Sequence, residues 1–216
     1  MVGNTLAVQG SAADDMIEVR QIGTQINVIT NGVDHGLFDM IDEVRVVSKG
    51  GDDVINFQAG VTADAIINSG ACDDTVRTGS GNDFITTGIG NDMIFGRGGD
   101  DFINAGAGDD FVRSQAGDDN ILGGLDNDDI DGGGGDDIID GGMGDDFVFG
   151  SAGNDEVNGN QGNDTLFGGS GVDAILGGNG DDLINGGAGD DIIDGGADVD
   201  TIYGGCLLYT SDAADE

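Results

Sequence analysis

An aspartate recurs every nine residues, without a miss, over more than half of this chain. The series is Asp74, Asp83, Asp92, Asp101, Asp110, Asp119, Asp128, Asp137, Asp146, Asp155, Asp164, Asp173, Asp182, Asp191 and Asp200. Two residues after each stands a branched aliphatic, from Val76 and Ile85 through to Ile193 and Ile202. Two residues before each stands a glycine, except at Cys72, Asp126 and Asp198. A short fixed period of this kind is the mark of a solenoid, in which each repeat contacts only its neighbours. It overrides what composition alone would suggest. An acidic chain of 216 residues with 45 glycines and no proline or tryptophan would otherwise read as disordered.

The chemistry of one unit follows from its residue types. In Gly141-Gly-Met-Gly-Asp-Asp146-Phe-Val148-Phe, the glycines permit positive φ and let carbonyl oxygens approach one another. The aspartate adds a hard carboxylate, and calcium takes six to eight oxygens of this kind. The last three residues alternate out, in, out, so they form a minimal strand with Val148 inward. Two units make one coil, so residues 18 apart stack at about 4.8 Å and fifteen units give a roll roughly 36 Å long.

These residues resemble the bacterial RTX, or haemolysin-type, calcium-binding repeats, whose nonapeptide is G-G-x-G-x-D-x-U-x. Gly186-Gly-Ala-Gly-Asp-Asp191-Ile-Ile193-Asp matches it at every defined position. The resemblance spans residues 74–204 and implies an all-β, right-handed parallel β-roll of two sheets. It implies that each calcium ion lies between two turns on one edge, held by both aspartates and by turn carbonyls. Gly132, Gly135, Gly141, Gly144, Gly168, Gly171, Gly177, Gly180, Gly186 and Gly189 are such carbonyls. Pairing the aspartates 18 apart leaves seven gaps from Asp74 to Asp200 on one edge and six from Asp83 to Asp191 on the other, so up to thirteen ions. Several units depart from the pattern. Thr78, Thr87, Ala105 and Ser114 replace the first glycine, and Arg97, Gln115, Ser151 and Asn160 the second. Asp126 replaces the fourth-position glycine, and its turn is expected to bind most weakly.

The flanks divide the chain further. Thr24–Thr30 and Glu43–Val47 alternate like strands, with Asn31-Gly32 as a hairpin turn. Residues 1–47 are therefore expected to form a β-structured cap, and 48–73 degenerate repeats carrying Asp53 with Ile55. Asp15 with Ile17 fits the template loosely, and Asp64 with Ile66 falls out of phase. After Gly205 the period stops. Cys206–Glu216 resembles the translation of a sequencing adapter, so 205–216 is expected to be a non-native tail on a fragment. Cys72 would then have no disulfide partner.

Charge and motif content bound the function. A net charge of −37 opposes nucleic-acid phosphate. No window is long and apolar enough for a transmembrane helix, and the start lacks the basic and apolar regions of a cleavable signal. One histidine, His35, beside the Asn31-Gly32 turn, makes no zinc site, and no serine sits in a nucleophile elbow. This stretch is therefore expected not to be an enzyme. Three settings stay open: a calcium-binding folding module, the repeat part of a larger secreted protease, lipase or epimerase, or a spacer in a surface adhesin. The resemblance implies type I secretion and an extracellular or cell-surface location. One inward aliphatic per nine residues offsets little of the cost of ordering nine residues, so folding is expected to require calcium. One sheet should expose Met93, Phe95, Phe111, Phe147, Phe149, Phe167 and Tyr203, the other only Phe84 and Phe102 as aromatics. Stacking along the ladder accounts for that asymmetry; docking of a neighbouring module or second roll is the sharper alternative.

Overall fold

The structure, a computed structural model, describes residues 4–205 and 207–211. Every regular element among them is a strand. The chain passes back and forth between two sheets of eleven and twelve strands. Phe102–Ala107, Asn120–Leu125 and Ile138–Met143 belong to the first, and Met93–Gly98, Phe111–Ala116 and Asp129–Gly134 to the second. Within the repeats, neighbours in each sheet are parallel and 18 residues apart, with Ile94 beside Val112 and Ile103 beside Ile121. Two nonapeptides thus make one coil, and the parallel solenoid has about nine coils. No helix among the described residues is long and apolar enough to cross a membrane.

The interior is thin because each unit sends little into it. In Phe147–Ala152 only Val148 and Gly150 point inward. Ile94, Val112, Ile130, Val148, Leu166 and Ile184 form one fully buried column, and Ile85, Ile103, Ile121, Ile139, Val157, Ile175 and Ile193 face them from the other sheet. These are the aliphatics two residues past each aspartate.

The N-terminal end is broader. It comprises β1 (Thr5–Gln9), β2 (Met16–Ile22), β3 (Gln25–Thr30), β4 (Val33–Asp39), β5 (Glu43–Val47), β6 (Val54–Phe57) and β7 (Asp64–Ala71). Strands β1, β5 and β7 pair in parallel in one sheet. In the other, β2 pairs with β6, while β2, β3 and β4 form an antiparallel meander. Asn31 (φ 50°) and Gly32 (φ 78°) make the turn between β3 and β4, both left-handed as a two-residue hairpin turn of this hand requires. His35 lies on β4, with Nε2 2.6 Å from Thr30 Oγ1. At the phase shift, Ile67 rather than Ile66 points inward, opposite Ile85, and Ala65 stands where an aspartate would be.

At the other end Leu207–Ser211 pairs in parallel with Asp190–Asp194. Cys206 lies outside the described residues, and Cys72 is exposed with a free thiol.

The outward aromatics cover one another. On the twelve-stranded sheet Phe149 and Phe167 stack with centroids 4.6 Å apart, and Phe147 sets its edge on both. Arg77 lies 4.8 Å from the Phe95 ring centre and Arg113 4.1 Å from that of Phe111. Arg113 also pairs with Asp129 and Asp131. Phe84 and Phe102 stack on the opposite sheet.

Candidate metal centre

The turns that join the sheets are stacked so closely that only left-handed backbone without a side chain fits easily. Gly144 has φ 131° and Gly162 φ 134°, and a Cβ on Gly162 would collide with the Gly144 carbonyl oxygen one coil below. Where another residue replaces a glycine, the backbone stays left-handed: Arg97 at 73°, Gln115 at 81°, Asp126 at 72°, Ser151 at 82° and Asn160 at 74°. The repeat therefore imposes its turn even on residues that resist it.

The periodic aspartates from Asp74 to Asp191 are buried and Asp200 is half-buried, and the two oxygens of each have different fates. Oδ1 accepts the backbone N–H of the aspartate one coil earlier: Asp128 N donates to Asp146 at 2.8 Å, and Asp146 N to Asp164 at 2.8 Å. This ladder runs from Asp74 to Asp200 on one edge and from Asp83 to Asp191 on the other. It continues upstream, where Asp15 N donates to Asp53 and Asp53 N to Asp74. So the two loosely matching upstream aspartates are rungs of the same ladder.

Oδ2 has no partner. It is buried and unbonded in Asp53 and in all fifteen periodic aspartates from Asp74 to Asp200. In the glycine-rich units it lies over the first glycine, 2.5 Å from where a Cβ on Gly141 would be in the case of Asp146. A buried carboxylate oxygen without a donor is costly, and sixteen in register are not packing accidents. Burial, with the charges of nearby aspartates adding to it, drives these carboxyls from Asp53 to Asp182 upward. Asp101 and Asp128 rise to about 8. Asp83, Asp110 and Asp137 rise to about 7. Asp74, Asp146, Asp155, Asp164 and Asp182 rise to about 6. Such groups ask for a cation or a proton.

Among the described residues no three acidic, histidine or cysteine side chains converge on one point. A cation here has to draw on backbone oxygens, as calcium readily does. The turns offer them. The Gly144 carbonyl points up toward Gly162, and the Gly159 carbonyl points down toward Gly141, so both line the gap between two successive turns. Carbonyls of Gly135, Gly171 and Gly180 belong to the first set, and those of Gly132, Gly141, Gly168, Gly177 and Gly186 to the second, by their place in the repeat. Hard, all-oxygen donors with unpartnered carboxylates fit calcium and do not fit zinc or copper. The turn that carries Asp126 keeps this geometry, with Asp110 N donating to Asp128 at 2.9 Å.

A second ladder escaped the sequence reading. At most turns the residue before the periodic aspartate accepts, through Oδ1, the backbone N–H of its counterpart one coil later. Asp109 N donates to Asn91, Asn127 N to Asp109, and Asp145 N to Asn127. On this edge the column alternates Asp73, Asn91, Asp109, Asn127, Asp145, Asn163, Asp181, so no two charges are adjacent. The signal was present as Asp or Asn at thirteen of the fifteen positions, broken only by Val172 and Val199. Asp64 belongs to this outer column, accepting from Asn82 N, which explains its displacement from the inner one.

Comparison with known families gives the same result from an independent direction. The model of the RTX calcium-binding nonapeptide repeat matches in overlapping segments from residues 66–85 to 176–205. No curated protein matches the chain. With 66–205 covered, more than half of its length, the chain belongs to the family of the RTX calcium-binding nonapeptide repeat, a calcium-binding β-roll.

Proposed function

We propose that the roll binds calcium in the gaps between successive turns on both edges, through the fifteen periodic aspartates and the turn carbonyls, and that this binding folds it. The supporting observation is the row of buried, unpartnered Oδ2 atoms, which leaves the metal-free roll with a buried charge or a captured proton at every turn. A divalent ion would neutralise the aspartates above and below it and accept their free oxygens. The gaps number thirteen.

Extracellular calcium modules bind at about 10⁻⁴–10⁻³ M, far above the free calcium of a cytosol. The repeats of such a chain stay unfolded where it is made and fold once exported. Secretion is typical of the family in bacteria. We place this chain outside the cell or on its surface, as a folding module of a larger secreted protein. Residues 1–47 serve as its cap, 48–73 as degenerate repeats and 74–204 as the roll.

Circular dichroism and calorimetry test the reading together. Strand signal is expected to rise from excess chelator to millimolar calcium, with close to thirteen ions bound, and Asp146→Ala is expected to lose about two of them. Equal strand content in chelator overturns calcium-dependent folding, and one or two ions in total overturn the pairing.

A further inference from the structure

The first rung of the ladder, at the N-terminal end of the roll, has none of the unmet need that the later rungs share. Asp15 is the first rung of the ladder, and both its oxygens are served by the protein. Asn31 Nδ2 donates to Oδ1 at 2.7 Å, and the Ser11 amide and hydroxyl donate to Oδ2. The Ser11 amide in particular holds this carboxyl below the usual carboxylate range. Every later inner rung, from Asp53 on, has a bare Oδ2.

The core changes in the same direction. Thirteen buried apolar side chains lie between Val8 and Ile67, including Phe57 and Val61, whereas fifteen are spread over the stretch from Val76 to Ile193, which is about twice as long. The meander β2–β3–β4 closes through local antiparallel contacts, which form at low entropic cost. The repeats offer only pairings 18 residues apart.

Between the two regions, the chain supplies its own donors where the later turns have none. Ser69 Oγ donates to the Thr87 carbonyl, Thr87 Oγ1 to Ala105 at 2.8 Å, and Thr78 Oγ1 to Gly96 at 2.7 Å. At this same place in the repeat, every unit from Gly123 to Gly195 has glycine and no donor. Arg97 adds a charge. Its guanidinium donates to the Thr78 carbonyl at 2.7 Å and to that of Phe57, so it reaches back across two coils.

We propose that β1–β7 form a calcium-independent seed on which the repeats wind coil by coil as calcium arrives, with Arg97 acting as a tethered cation at the junction. The proposal rests on the calcium-dependent folding of the repeats argued above. In a solenoid stabilised by nearest-neighbour contacts, the first coil is the costly one, because it has nothing to stack on. A preformed end removes that cost and sets the register of every later turn.

Hydrogen exchange read by mass spectrometry on the full chain tests this. In excess chelator, amides of residues 5–71 are expected to be protected while those from Gly117 onward exchange as in an unfolded chain. As calcium rises, protection is expected to advance from N- to C-terminal coils. Exchange everywhere in chelator, with folding in calcium intact, overturns the seed but leaves the proposed function standing. Protection everywhere in chelator overturns calcium-dependent folding instead. Simultaneous protection of all coils overturns the order of winding. Arg97→Ala is expected to raise the calcium midpoint of Met93–Gly98 and Phe111–Ala116 several-fold, with Arg97→Lys in between and residues 5–71 still protected in chelator. An unchanged midpoint, or loss of protection in residues 5–71, overturns the place given to Arg97.

Discussion

At the scale of single residues the roll is governed by what a turn can hold. Gly144 combines φ 131° with a Cβ position that overlaps the Asp126 carbonyl oxygen, whereas a Cβ on Gly98 would meet only the Ala116 oxygen at 3.5 Å. Gly144→Ala is therefore expected to destabilise the calcium form by at least about 2 kcal/mol, left-handed backbone alone costing a non-glycine about 1–2. Gly98→Ala is expected to change stability by less than about 1 kcal/mol. Equal midpoints for the two variants in a calcium titration would rule out close turn stacking as the constraint. The aspartates make a second prediction. Their carboxyls are raised in the metal-free roll to about 8 at Asp101 and Asp128 and about 6 at Asp146. A group raised above its unfolded value stabilises the fold at low pH and loses that contribution as pH climbs through the folded value. Between about pH 4 and 8 the metal-free roll thus becomes progressively less stable. Calcium replaces those protons, so its apparent affinity is expected to rise over the same window. Chelated protein that gains strand signal on acidification toward pH 4 would agree with this, and a calcium affinity independent of pH from 6 to 8 would contradict it.

At the scale of strands and turns, the outward aromatics act as a ladder. Phe149 and Phe167 stack at 4.6 Å with planes 10° apart, and Phe147 closes the cluster edge-on. Changing Phe149 and Phe167 together to serine is expected to cost stability of about 0.5–1.5 kcal/mol beyond lost burial, and to leave the sedimentation of the calcium form unchanged. If wild-type protein self-associates and the double variant does not, the face is a docking surface instead. Much of this level was legible in the sequence because its signal is a strict period. The inward columns, the two sheets and the sorting of Phe84 and Phe102 from the other outward aromatics follow from counting nine. The outer ladder was not read because Asp and Asn share it, so it shows no single recurring letter. Asp15 and Asp53 were hard to place because insertions put 38 and 21 residues between rungs that are adjacent in space. Arg97 looked like a flawed glycine, since nothing in the sequence shows that its side chain crosses two coils.

At the scale of the whole molecule the dominant fact is charge. The chain carries −37, and thirteen divalent ions would bring +26, leaving −11. Neutralisation alone would compact any polyanion, so compaction by calcium is informative only against an ion of equal charge and different coordination. Magnesium is that ion. It demands near-ideal octahedral geometry at about 2.0–2.1 Å and gives up water reluctantly, while calcium accepts six to eight oxygens at about 2.3–2.6 Å in loose arrangements. The gaps between turns are lined by carbonyls tied into the backbone stacking and by carboxylates already holding an amide through Oδ1, so closing them around a smaller ion would disturb those contacts. In chelator, small-angle scattering is expected to give a radius of gyration of roughly 40 Å, that of a long unfolded segment, and in millimolar calcium one below about 20 Å, that of a compact domain of this length. The same concentration of magnesium is expected to leave the larger value almost unchanged. Full compaction by magnesium would mean that the acidic edges act as a diffuse counter-charge, and that the unpartnered Oδ2 atoms do not define sites for a particular ion.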